Sequence, residues 1–160
     1  MENSQNLPHF LSAEAIANLP ETIRTHPLNP KAIRHNKSLG DLVGMKNLGF
    51  HLVRVAPGNE TTEFHCHYQE EEFIYILSGR GMAQIGEQEI EVAAGDFMGF
   101  TAPSLPHGMM NPFAEDLVYL MGGQRLETET VDYNHLQKRQ FRLGSDRQLV
   151  DWEHLVSREP

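Results

Sequence analysis

Apolar and alternating runs crowd into the middle of the chain. Between Leu48 and Gly122 the pattern predicts strands at Phe50 to Val55, Glu63 to His67, Glu72 to Leu77, Met82 to Ile85, Glu89 to Val92, Asp96 to Phe100 and Leu117 to Met121. The runs are short and punctuated by Pro57-Gly58, Ser78-Gly79, Gly86-Glu87 and Ala94-Gly95, the pattern of an all-β sandwich or barrel.

The flanks read differently. Residues 1–44 are rich in proline and asparagine, and their helical signal starts at Ser12 as an N-cap, carries Ile16 and Leu19 on one side and stops at Pro20. This predicts an N-terminal arm packing on the barrel formed by residues 45–123. Residues 124–160 are charged and mixed, with strand-like runs at Gln140 to Leu143 and Gln148 to Trp152 that could close an edge or reach another subunit. The longest stretch without a charged residue, Phe97 to Ala114, is broken by Pro103, Pro106 and Pro112 and is no membrane span.

Composition narrows the function classes. At 160 residues, with 39% apolar and 22% charged positions, the chain fits one domain with its own core. Its single cysteine excludes an internal disulfide or a thiolate zinc set. A net charge of -9, from 13 Lys+Arg against 22 Asp+Glu, argues against nucleic acid or an anionic membrane as partner. The opening Met-Glu-Asn-Ser-Gln-Asn has neither a basic start nor an apolar core, so no signal or transit peptide is visible and a cytoplasmic location is expected. Nine histidines stand out.

His65 and His67 sit two apart in a strand-like run, so their side chains leave the same face about 6.6 Å apart at the backbone. Cys66 then faces the other way and reads as a small buried hydrophobe. Glu72 lies five residues after His67, on the wrong face of a continuous strand, so a turn at Tyr68 to Glu71 must bring it back beside the histidines. Glu70 or Glu71 could replace it if that turn were shorter; the spacing to Gly79 and the apolar run Phe73 to Leu77 favour Glu72. A lone His-x-His pair arises about 0.5 times by chance at this histidine content, so weight falls on the longer pattern His65-x-His67-x4-Glu72-x6-Gly79. A second element follows in Gly95-Asp96, Pro103, Pro106-His107 and Asn111.

Together these elements resemble the two motifs of the cupin superfamily, in the manner of small bacterial single-domain cupins. The resemblance covers about Leu48 to Met121 and implies a double-stranded β-helix, the jelly-roll barrel, usually as a homodimer. It places metal ligands at His65, His67, Glu72 and His107, and structural positions at Gly58, Gly79, Gly95 and Asn111. The segments Gly58 to His65 and Gly95 to His107 are each one residue longer than the usual pattern, and Pro103-Ser104-Leu105 replaces the family's Pro-x-Gly.

Three imidazoles and a carboxylate suit one divalent first-row ion, iron, manganese, zinc or nickel, with two octahedral positions left for water, dioxygen or a chelating substrate. The expectation is a metal-dependent enzyme acting on a small organic molecule by dioxygenase, isomerase or lyase chemistry. The alternative is a non-catalytic small-ligand or sensor module. A sugar-phosphate isomerase ranks last, because between His51 and Gly122 only Arg54 and Arg80 are available to hold phosphate. Candidate substrate contacts are His51, Tyr75, Met98, Phe100 and Met109, each with core packing or a core edge as its plainer role; His51, Tyr75 or Arg54 could serve as an acid or base. Met109 shares a face with His107 if that segment is extended, and Met110 does not. His9, His26, His35, His135 and His154 read as surface residues. The two C-terminal runs lack an obvious partner in a closed barrel, which also points to a homodimer.

Overall fold

A computed structural model describes residues 8–156; Met1 to Asn6, on which the reading of the N-terminus rests, lie outside the described residues. Helix α1 (Ala13–Asn18) forms where expected, with Ser12 Oγ accepting the Ala15 N–H at 3.1 Å. The rest of the N-terminal segment is not an arm lying on the barrel. It folds into strands β1 (Thr22–His26) and β2 (Asn29–Lys37) and the single turn α2 (Leu39–Leu42). The β1–β2 hairpin pairs onto β3 (Leu48–Val55) and so extends the barrel wall. Pro27, Asn29 and Pro30 hide this hairpin in the sequence: the prolines break the alternation, while Asn29 Oδ1 accepts the Lys31 N–H to shape the turn.

The strands β5 (Glu72–Ser78), β6 (Arg80–Ile85), β7 (Gln88–Ala93), β8 (Phe97–Phe100) and β10 (Leu117–Gln124) follow the predicted runs closely. The expected strand over Glu63 to His67 shrinks to β4 (Cys66–His67). His65, just before it, exchanges backbone bonds with His107 at the start of β9 (His107–Met110), at 3.0 and 2.7 Å. After β10 come β11 (Thr128–Tyr133), which the sequence pattern does not predict, and the hairpin β12 (Lys138–Leu143) and β13 (Asp146–Asp151).

Two walls result. The first runs β1-β2-β3-β10-β5-β8. The second combines β7-β6-β9 with β4-β11-β12-β13, stitched together by the His65 to His107 bridge. Between them pack Val53, Val55, Ile74, Ile76, Leu117 and Tyr119 from the first wall against Ala83, Val92 and Met109 from the second. Each aliphatic side chain removed from water there contributes about 1.5–3 kcal/mol. This is the jelly-roll barrel. Strands β12 and β13 pair with each other and, through β11, with β4, and the outer edge of β13 carries no strand partner among the described residues.

Two positions of the spacing pattern have structural reasons. Gly79 turns the chain from β5 into β6 with φ +75°, and a Cβ there would lie 2.2 Å from the Asp116 carbonyl oxygen. Asn111 is fully buried; its amide donates to the carbonyls of Val55 and Glu115 at 2.9 and 2.8 Å and accepts the Phe113 N–H, pinning the loop from β9 to β10. Among the described residues no helix is long and apolar enough to cross a membrane.

Candidate metal centre

His65 and His67 leave the same face of the chain at β4, while Glu72 opens β5 and His107 opens β9. One ligand atom from each of the four lies within 4.8 Å of the others. His65 Nε2 and His67 Nε2 are 3.0 Å apart, His107 Nε2 is 3.2 Å from Glu72 Oε1, and His67 Nε2 is 3.7 Å from Glu72 Oε2. Backbone carbonyls orient two of the rings: His65 Nδ1 donates to Glu63 O at 2.8 Å and His107 Nδ1 to Leu105 O at 2.9 Å. Their Nε2 lone pairs therefore face inward. Phe100 lies flat against the His107 ring, centroids 3.7 Å apart and planes 8° from parallel.

The turn that returns Glu72 is held by a residue the sequence reading missed. Glu129 on β11 is 3% exposed, and its carboxylate accepts the N–H groups of Tyr68, Gln69, Glu70 and Thr130 at 2.6 to 3.3 Å. The turn is thus built around a buried anion. Glu70 pairs with Arg142 at the cavity wall and accepts the Leu126 N–H, and Glu71 is exposed, which leaves Glu72 as the carboxylate facing the imidazoles. A second group of potential ligands, His67, Glu70 and Glu129, has its carboxylates committed to these partners and does not fit an ion.

Burial pushes the His65 imidazole down to about 3, with His107 and His67 acting in the same direction and the charge of Glu72 opposing it. For Glu72 burial acts upward, but the His107 hydrogen bond and the three imidazoles outweigh it and hold the carboxyl down to about 2. A neutral His65 and an ionised Glu72 are the ligating forms. His67 Nδ1 is buried without a hydrogen-bond partner, its nearest carboxylate oxygen 3.9 Å away on Glu129. Converging imidazole nitrogens 3.0 Å apart, beside an ionised carboxylate, fit a divalent first-row cation among them.

The cluster opens into a cavity of about 790 Å³, within the usual range for small-molecule sites. Met98, Phe100 and Met109 line it and are buried, with Met109 on the His107 face of β9 and Met110 turned out. His51 lines it too. Tyr75 does not: alternation along β5 buries Ile74 and Ile76 and leaves Tyr75 40% exposed on the outer surface. His26, expected at the surface, is half-buried and lines the cavity edge-on to Tyr133. Cys66 is buried on the far side of its strand, its thiol pushed up by burial.

The larger correction concerns arginine. Arg54 and Arg80 lie outside the cavity, paired with Glu21 and Asp116 and with Glu91 and Glu115. Arg24, Arg34, Arg125, Arg142 and Arg147 line it instead. They come from β1, β2, the loop after β10 and the β12–β13 hairpin, all outside the segment from His51 to Gly122. Recognising residues 22–37 as a hairpin would have exposed the first two.

Comparison with known proteins agrees with this architecture. The cupin domain family matches residues 51–123. The solved structure of a proposed sugar phosphate isomerase from Acidithiobacillus ferrooxidans is 42% identical over 94% of this chain and 97% of its own, with a TM-score of 0.91. A sugar phosphate isomerase of the cupin superfamily from Silicibacter pomeroyi shares the fold at 24% identity and a TM-score of 0.78, over 91% of this chain and 94% of its own. An uncharacterised protein of Methanocaldococcus jannaschii is 37% identical over 57 residues, 36% of this chain and 45% of its own length, so the chain spans less than half of that curated relative. With its two-walled barrel and its His65, His67, Glu72 and His107 cluster, the chain belongs to the cupin superfamily.

Proposed function

We propose that this cupin is a metal-dependent isomerase interconverting the aldose and ketose forms of a small phosphorylated sugar. The observation that carries this is a single cavity holding both the three-histidine, one-glutamate cluster and five arginines. The scarcity of cations between His51 and Gly122, which counts against phosphate binding, is offset by arginines that reach the cavity from outside that segment. The name carried by the 42% identical relative supports the same reading.

His65, His67, Glu72 and His107 would hold the ion, and His67 and Glu72 are its more exposed side, at 14% and 18% against 3% for His107. An ion bound there supplies Lewis acidity toward a carbonyl and its neighbouring hydroxyl. The chain's own groups do the rest. Met98, Phe100 and Met109 make the cavity wall beside the cluster apolar and keep water from it. Burial raises the hydroxyls of Tyr119 and Tyr133, so both keep their protons and serve as hydrogen-bond donors to sugar oxygens. Arginines give a phosphate bidentate donors. The reaction moves one hydrogen between adjacent carbons and needs no external oxidant.

The test is to load untagged protein with manganese, iron, zinc or nickel and follow a panel of aldose and ketose phosphates by NMR, in air and under nitrogen. Interconversion of one pair, equal in both atmospheres and lost in His65→Ala, is expected. Stoichiometric oxygen consumption would instead establish an oxygenase, and saturable binding without turnover of any sugar phosphate would establish a binding module.

A further inference from the structure

Arg24 on β1 and Arg34 on β2 are directly opposed cross-strand partners, and both line the cavity. Like charges in that register repel each other. Neither pairs with a carboxylate among the described residues, and Arg34 Nη1 has Met121 Sδ, a weak acceptor, 3.8 Å away. Nothing in the fold explains two unneutralised guanidinium groups held side by side.

A third guanidinium joins them. Arg125 bonds Asp41 through Nη1 at 2.5 Å, which leaves Nε and Nη2 free of that carboxylate. His51 is anchored through Nδ1 by Ser38 at 2.9 Å and Asn36 at 3.3 Å. Gly49 lies buried between the two side chains, and a Cβ there would stand 3.2 Å from both Arg125 Nε and His51 Nε2. The missing side chain is what lets these nitrogens converge on the cavity wall. Burial, Arg125, Arg34 and Arg24 all push His51 down, with Asp41 opposing, so its ring is neutral here and does not add to the repulsion.

Three arginines therefore face one carboxylate, an excess of two positive charges at this end. The other acids of the cavity are engaged: Glu70 by Arg142, Glu129 by the backbone of the 68–71 turn, and Glu72 by the histidines. Arg142 and Arg147 are also cross-strand partners, but Glu70 neutralises the first. Among the described residues Arg147 keeps one unpaired charge on the β12–β13 side, and the larger excess, of two charges, sits at the β1–β2 end.

We propose that Arg24, Arg34 and Arg125, gathered about His51 and Gly49, form the subsite that holds the phosphate group of the substrate. This rests on the isomerase reading and sharpens it: the phosphate is taken by the N-terminal hairpin and α2 side, the sugar carbons by the histidine cluster. A phosphate dianion matches the excess of two charges, and forked guanidinium donors suit its oxygens.

Calorimetric titration of metal-free protein with inorganic phosphate, in a chelator so that no ion contributes, tests this directly. Saturable binding is expected, weakened about tenfold or more in Arg24→Gln and in Arg34→Gln and unchanged in Arg80→Gln, whose side chain lies outside the cavity. Circular dichroism confirms that each variant is folded. Absence of phosphate binding by the unsubstituted protein, or equal binding by folded Arg24→Gln and Arg34→Gln, overturns the subsite. If phosphate binds as expected while no sugar phosphate turns over, the subsite stands and the isomerase reading falls. If turnover occurs with KM unchanged in both arginine variants, the isomerase stands and the subsite falls.

Discussion

Ser104 and His67 exchange two hydrogen bonds: the Ser104 N–H donates to the His67 carbonyl at 2.8 Å, and the His67 N–H donates to Ser104 Oγ at 2.9 Å. The next carbonyl, Leu105 O, fixes the His107 ring. The loop that departs from the family's Pro-x-Gly therefore sets two of the four cluster residues. Ser104→Ala leaves the His67 N–H without its acceptor, costing about 1–3 kcal/mol. It should also weaken metal binding about tenfold by loosening the ring. The Leu105 side chain is 65% exposed and only its carbonyl is used, so Leu105→Gly should shift stability by less than about 1 kcal/mol. Unfolding midpoints and metal titrations compare the two; unchanged metal affinity in Ser104→Ala would refute the orienting role.

Glu129 makes a comparable claim on the turn. Removing its carboxylate in Glu129→Ala strands the N–H groups of Gln69 and Glu70, while Tyr68 N–H keeps the Thr130 carbonyl and Thr130 N–H keeps Gln69 Oε1, and it releases the segment between His67 and Glu72. A loss of about 2–4 kcal/mol is expected. For a domain of this size that lowers Tm by about 4–16 °C. Glu129→Gln keeps one oxygen for the amides and should fall between. If Glu129→Ala melts with the unsubstituted protein, the turn does not depend on it.

The histidine cluster was legible because alternation and spacing act over a few residues: His65, His67, Glu72 and Gly79 constrain one another along one short stretch of chain, although β4 and β5 pair into different sheets and form no hairpin. What supports and surrounds it was not. Strand β11 escaped notice because two of its buried residues, Glu129 and Asp132, are acidic, and a pattern read from hydropathy cannot see a carboxylate satisfied by backbone amides or by Arg139 and Tyr68. Arg24 and Arg34 escaped for a related reason. Their hairpin is broken by Pro27 and Pro30, and their meaning depends on register, which composition does not carry. The strand expected at Glu63 shortened because His65 bridges to β9 alone, one residue at a time.

Acid should destabilise the metal-free protein. The folded state keeps His65 down to about 3 against an ordinary 6.5, so the unfolded chain binds the proton first and stability falls as pH drops from about 6.5 toward 3. His26 and His51 are lowered as well, both chiefly by burial. Glu72, held down to about 2 against 4.5, adds a contribution that is whole above about 4.5 and disappears below it. All four act in the same direction. Urea midpoints of chelator-treated protein should therefore decline steadily from pH 7 to pH 4; a flat or rising midpoint would contradict a buried, neutral His65.

Alternation at β4 yields the sharpest test of the cluster itself. His65 and His67 face inward with Glu72 and His107, whereas Cys66, between them, packs on the opposite side against β11. Replacing any one cluster residue by alanine should take bound metal from about one ion per chain toward zero, because the remaining three no longer surround the ion. Cys66→Ala should retain the full complement while losing about 1 kcal/mol of stability from the sulfur's burial. Elemental analysis of untagged protein, after equilibration with one equivalent of metal and gel filtration, separates the cases. Loss of metal from Cys66→Ala, or its retention in His65→Ala and His107→Ala, would mean that the ion is held elsewhere and that the inward face of β4 serves only to pack the barrel.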